Sequence, residues 1–189
     1  FEKTYGVCSL PMLKILCENS SIFKYFRSVN SKKRILIAPL DWGLGHASRC
    51  IPIAQALEQK GFEVVFASSG RPLELLIQEF PKNDFIKLES YNIRYPKNGK
   101  MAWSMLSQSL KIWKGIRQEH ALLQQIIDDY NIDGVISDNR FGLHSKKVPC
   151  VFVTHQLNIQ TPIFSDFIRK MNFKYIQKFD ECWIPDSDN

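Results

Sequence analysis

No Cys-x-x-Cys pair occurs in this chain. Its five cysteines, Cys8, Cys17, Cys50, Cys150 and Cys182, are odd in number and scattered. That spacing excludes a zinc finger and argues against a disulfide framework, so the thiols read as reduced and buried, each packing as a small hydrophobe. No run approaches the ~18 uncharged apolar residues of a membrane span. Glycine and proline number nine each among 189 residues, which excludes collagen-like and linker-like chains. No signal peptide is recognisable, because the apolar stretch 10–17 carries Lys14 where a secretory core would be uninterrupted. The expectation is a cytoplasmic chain. Internal repeats, low-complexity tracts and metal-binding acidic clusters are missing too, so neither a metal nor a cofactor is expected. What is present is 44% hydrophobic and 23% charged residues, enough for one real core and too apolar for disorder.

The net charge of +6 is unevenly placed. Residues 1–34 hold seven Lys/Arg against Glu2 and Glu18, leaving 18 basic and 17 acidic residues in 35–189. The body is nearly neutral, and no basic face for nucleic acid is expected on it. Residues 1–31 lack clean periodicity. They read as an N-terminal extension, poorly ordered or carrying a short helix, and dispensable for folding. Residues 32–189 read as one domain.

From Lys32 onward the pattern is regular. The apolar run 34–40 suits a strand buried on both faces. Residues 47–60 read as a helix with Ile51, Ala54 and Leu57 on one face and Gly61 capping its end. Further strands are expected at 63–67, 84–88, 134–137, 150–154 and 181–184. Further helices are expected at 71–80, at 101–130 with Gly115 as a candidate break, and at 164–179. Alternating strands and helices mean an α/β fold: a Rossmann-like open parallel sheet of about six strands with helices on both faces.

Ligands of such sheets bind outside the carboxyl ends of the strands. The residues delivered there include Asp41, Trp42, Gly43, Gly45 and His46; Ser68, Ser69 and Arg71; Tyr91, Asn92 and Arg94; Asp138, Asn139 and Arg140; and His155 and Gln156. Gly43-Leu44-Gly45-His46 opens a helix, where glycines allow close backbone approach and free N–H groups suit phosphate. It is not a dinucleotide fingerprint, since Ser48 stands where a third glycine belongs, and no Gly-Lys-Ser/Thr makes it a P-loop. His46 is either a general base for a substrate hydroxyl or a helix-start histidine bonded to backbone. His155 is the rival base. His144 beside Lys146 and Lys147 reads as surface, and His120 as an ordinary helix residue. Asp138, Asn139 and Arg140 either anchor a sugar or cap the next helix. The aromatic-rich start of the long helix (Trp103, Trp113) faces either the core or a lipid-like acceptor.

Residues 35–49 (ILIAPLDWGLGHASR) resemble the opening of the glycosyltransferase family 28-like, MurG-like proteins of GT-B fold. Ser137-Asp138-Asn139-Arg140-Phe141-Gly142, Val153-Thr154-His155-Gln156-Leu157 and 179–186 (FDECWIPD) resemble later motifs of a bacterial subgroup. The Gly-Gly-x-Gly-Gly-His loop of better-known relatives is changed here at Asp41-Trp42 and Leu44. The resemblance implies the N-terminal, acceptor-side half of an inverting glycosyltransferase, one that moves a hexosyl group from a nucleotide sugar, a UDP-sugar, to an acceptor hydroxyl. It places the C-terminal donor-binding domain outside this chain. It implies His46 as catalytic base, and Gly43, Gly45, Asp138, Asn139, Arg140, His155 and Gln156 as diphosphate- or substrate-binding residues. The implied partners are the nucleotide-sugar donor and a glycan or lipid-linked acceptor, with peripheral contact at the inner face of the cell membrane. The alternatives are a non-catalytic truncated or split-subunit half-domain that needs a separate donor-binding partner, and a nucleotide-binding module of another Rossmann family.

Overall fold

The computed structural model describes residues 5–8, 32–89, 101–154 and 165–185. Its elements are β1 (Tyr5–Cys8), β2 (Arg34–Pro39), α1 (Leu44–Gln59), β3 (Glu63–Ser68), α2 (Gly70–Glu79), β4 (Asp84–Lys87), α3 (Met101–Asp129), β5 (Gly134–Asp138), β6 (Cys150–Val153), α4 (Ser165–Ile176) and β7 (Glu181–Pro185). The strands form one sheet in the order β1-β7-β6-β5-β2-β3-β4, with every pairing parallel. From β2 the chain builds outward through β3 and β4, then returns to the other side of β2 and builds outward through β5, β6 and β7. The reversal falls between β2 and β5, and a crevice opens at such a switch point in doubly wound sheets.

Alternation along the strands divides the core in two. Ile35, Ile37, Val64 and Phe66 face α1 and α2, packing with Ala47, Cys50, Ala54, Leu57 and Leu76. Leu36, Ala38, Val65, Ala67 and Phe152 face the other way, against Leu123, Ile126 and Ile127 of α3 and Ile176 of α4. Both faces of the sheet are covered, which is why its strands read as unbroken apolar runs.

Three features differ from the sequence-based expectation. The first is α1, which starts at Leu44 rather than at 47, so His46 lies inside its first turn. Its buried side runs through Ala47, Cys50, Ile53, Ala54 and Leu57, while Ile51 is only half-buried. It ends as expected: Gly61 at φ +86° donates to Glu58 O at 2.9 Å and Phe62 N–H to Leu57 O at 3.1 Å, a Schellman closure. The second is α3, which runs unbroken through Gly115. The third is at the N-terminus, where Tyr5–Cys8 lies along the outer edge of β7, Tyr5 opposite Cys182 and Cys8 opposite Pro185. These four residues are a seventh, edge strand. The rest of the expected extension, 9–31, lies outside the described residues.

Arg140, expected among the ligand-binding residues, is wholly buried. Its Nη1 donates to Glu119 Oε1 at 2.8 Å, and its Nε donates to Pro39 O at 3.1 Å. Longer bonds reach Glu89 O and Leu88 O. Glu119 Oε2 accepts the Gly142 N–H at 3.0 Å. Arg140 and Glu119 thereby tie α3 to the ends of β2 and β4. Gly142 is required by space: a Cβ there would sit 2.5 Å from Ile116 O and 2.7 Å from Glu119 Oε2.

His144, expected at the surface, is half-buried. Its ring centroid lies 4.3 Å from that of His120 and 5.8 Å from that of Phe179. Burial first, then the neighbouring charges of His120 and Lys178, lower its pKa from 6.5 to about 4.

Each of the last two features predicts a stability effect. Glu119→Ala leaves the Arg140 charge buried without its counter-ion, and the expected loss is about 3–5 kcal/mol, read from urea unfolding midpoints. For His144 the unfolded chain binds the extra proton as pH falls below about 6.5, while the folded chain resists it down to about 4. Stability is therefore full above pH 6.5 and drains away as pH falls toward 4. His144→Gln should flatten that acid slope in thermal melts taken between pH 7 and pH 4.5; an unchanged slope would place the acid sensitivity elsewhere.

Candidate functional site

The first turns of α1 sit over the end of β5. His46 and Arg49 are three residues apart and share one helix face. Asp138, the last residue of β5, is wholly removed from solvent beneath them. Arg49 approaches it side-on, Nε donating to Oδ2 at 2.6 Å and Nη2 to Oδ1 at 2.7 Å. His46 Nδ1 lies 3.0 Å from the same Oδ1. Cys50, one turn further along α1, makes a long S–H contact to Oδ2 at 3.9 Å. Burial first, then the Asp138 charge, raise the Cys50 pKa well above the usual thiol value, so its proton stays in place. A buried carboxylate is costly unless paired and hydrogen-bonded, and here both oxygens are matched by donors. Among the described residues, His46 Nε2 makes no hydrogen bond.

Beside this cluster the turn 42–45 is exposed. Gly43 is extended at φ 171°, neither Gly43 nor Gly45 lies in the left-handed region, and a Cβ added at either meets nothing within 4 Å. The fold itself therefore sets no demand for glycine at these positions. No side chain caps α1, and its first turn holds no acidic residue. Its terminal N–H groups and positive dipole end lie at the exposed turn. Trp42 and Leu44 are exposed apolar residues flanking Gly43. Below the turn, Asp41 Oδ2 accepts from Ser69 Oγ, while its buried Oδ1 has no hydrogen-bond partner among the described residues and lies 3.9 Å from Arg140 Nη2.

The structure thus brings together His46, Gly43, Gly45 and Asp138 at the switch point. Asp138 is not a helix cap or an open ligand anchor, since residues 139–149 form no helix and its carboxylate is enclosed. Asn139 is half-buried with φ +58°, a conformation asparagine tolerates, and its N–H donates to Val153 O at 3.1 Å. Ser68 is buried and donates to Pro39 O at 3.0 Å. His155, Gln156, Tyr91, Asn92 and Arg94 lie outside the described residues. Arg49 was not among the expected site residues; the signal that marks it is its three-residue spacing from His46. Among the described residues, no group of three or more His, Cys, Asp or Glu side chains could hold a metal ion, and no helix is long and apolar enough to cross a membrane.

A family model for glycosyl transferase family 1 matches residues 33–180. No curated protein matches the sequence. The calicheamicin glycosyltransferase CalG4 is similar over 76% of this chain and 37% of its own, with 16% identity and a TM-score of 0.51. MurG of Acinetobacter baumannii is similar over 80% of this chain and 40% of its own, with 13% identity and a TM-score of 0.49. For SnogD of Streptomyces nogalater the values are 80%, 44%, 16% and 0.47. The chain spans about two fifths of the length of these structures. From the residue before β2 to the edge of β7, the sequence matches the family model, and the chain belongs to glycosyl transferase family 1, with the fold of a GT-B glycosyltransferase N-terminal half.

Proposed function

We propose that the chain forms the acceptor side of a nucleotide-sugar-dependent, inverting glycosyltransferase in which His46 is the general base. The observation that carries this reading is the His46–Asp138 contact of 3.0 Å, set beside a glycine turn that the fold does not itself require. In the reaction, His46 Nε2 takes the proton of an acceptor hydroxyl. The hydroxyl oxygen forms a bond to the anomeric carbon of the donor, and the bond from that carbon to the diphosphate oxygen breaks on the opposite side. The configuration inverts, and the diphosphate leaves with the bonding electrons. Asp138 orients the imidazole and stabilises the imidazolium that forms, as the buried acid does in a hydrolase triad. The α1 N-terminus, with Gly43 and Gly45 offering no side chain to obstruct approach, meets the charge growing on the diphosphate. The donor is a UDP-sugar and the transferred group a hexosyl unit, as the family resemblance implies; the acceptor is a glycan or a lipid-linked molecule.

A second reading is a non-catalytic half-domain that needs a separate donor-binding partner. One experiment separates the two. Release of UDP from a panel of UDP-sugars is followed with glycan and lipid-linked acceptors. The enzyme reading expects no release from this chain alone and acceptor-dependent release once the chain is joined to a donor-binding domain, and it expects His46→Ala in that longer protein to lower turnover by about 10²–10⁴, the scale of a lost general base, at a temperature where the variant is folded. Turnover surviving within a few-fold would remove His46 from the chemistry. No release from the joined protein with any donor, restored on adding a separate donor-binding partner chain, would favour the half-domain.

A further inference from the structure

We propose that Arg49 is a positioning residue that sets the tautomer of His46, holding the proton on Nδ1 and leaving the Nε2 lone pair free. This rests on the reading of His46 as base. The contacts of His46 Nδ1 conflict. A guanidinium only donates hydrogen bonds and a carboxylate only accepts them. Yet His46 Nδ1 has one of each beside it, Asp138 Oδ1 at 3.0 Å and Arg49 Nη2 at 2.5 Å. The first contact is a hydrogen bond if Nδ1 carries a proton, and the second if it carries a lone pair. Both cannot hold at once.

The needs of Asp138 decide between them. Its carboxylate is wholly buried, so every acceptor position left without a donor carries the full desolvation cost. Arg49 occupies one position on each oxygen through Nε and Nη2. Cys50 adds a weak donor at Oδ2. The remaining position on Oδ1 has His46 Nδ1 next to it. A proton there completes the shell with a charge-assisted bond, stronger than a bond between Arg49 and a neutral imidazole. A lone pair there would face a carboxylate oxygen across 3.0 Å. The fork also fixes the plane of the carboxylate, so Oδ1 cannot turn away from the ring. Arg49 thus acts through Asp138: it aims the oxygen, the oxygen selects the proton position, and the free nitrogen is the one outside the cluster. A lysine retains the charge but lacks the planar fork, so it would hold one oxygen and leave the carboxylate plane free to rotate.

The test is long-range ¹H–¹⁵N correlation of the full chain labelled at histidine nitrogens, above the histidine titration range. In the wild type, His46 is expected to show a protonated-type Nδ1 and an unprotonated-type Nε2. Arg49→Lys, and Arg49→Gln as a second variant, should shift the majority population toward the proton on Nε2, the form favoured by a free histidine side chain. The His120 and His144 signals report whether each variant keeps its fold. A wild-type His46 with its proton on Nε2 would overturn the proposal before any variant is made. An unchanged tautomer in either folded variant would overturn it as well. The readout needs no turnover: the expected tautomer shift without sugar transfer would uphold Arg49 as the tautomer-setting residue and strike only the base reading.

Discussion

A carboxylate with no access to water governs the active end of this sheet. Asp138 sits at the end of a strand buried on both faces, and its charge is tolerable only where donors enclose it. Among the described residues α1 supplies all of them, from three positions within five residues: His46, Arg49 and Cys50. That requirement bears on how the helix begins. Had α1 started three residues later, His46 would belong to the loop and lose its fixed spacing from Arg49. With Leu44 as the first helical residue, His46 and Arg49 share the face that descends on β5, and Cys50 directly follows Arg49, one turn on from His46. The same face continues as Ala54 and Leu57 into the core, so apolar packing and carboxylate pairing act on one helix orientation.

A second buried pair does a different job on the opposite face. Arg140 and Glu119 neutralise each other, and their spare bonds go to backbone atoms of Pro39, Leu88, Glu89 and Gly142. They fasten α3 to the strand ends without presenting a polar group outward. Gly142 shows how close that fastening is, since a single methyl group would collide with Ile116 O and Glu119. The polar residues of the strand ends therefore divide into those that brace the frame and those that hold His46.

The sheet was legible because doubly covered parallel strands leave an unmistakable trace, runs such as 35–40 with no polar interruption. The site was legible only in part. Glycine costs helix propensity, so Gly43-Leu44-Gly45 read as a turn, although Gly45 is helical. Arg140 and Asp138 read as sugar anchors or helix caps because charged side chains are rarely buried without partners, and their partners lie 21 and 89 residues away in sequence. Sequence spacing carries no sign of such pairings. Arg49 was hidden for the opposite reason, standing in plain view in a motif whose glycines and histidine drew the chemistry. Tyr5–Cys8 has too few residues for a detectable period, and its place is set by the free edge of β7 rather than by its own pattern.

The arrangement also bears on how an anionic donor would be held. Arg49 is committed to Asp138 and Arg140 to Glu119, so neither guanidinium is placed to grip a diphosphate. The turn beside them offers Trp42, Gly43, Leu44 and Gly45, none of them charged. What remains for an anion is backbone: uncapped N–H groups at the start of a sixteen-residue helix, with the dipole behind them. Backbone donors serve only a ligand that comes within hydrogen-bond distance of the main chain, and a side chain at 43 or 45 would stand in its way. The fold sets no demand for glycine at either position. On the proposed reading, glycine at 43 and 45 would serve such a ligand, because both nearby arginines are turned inward.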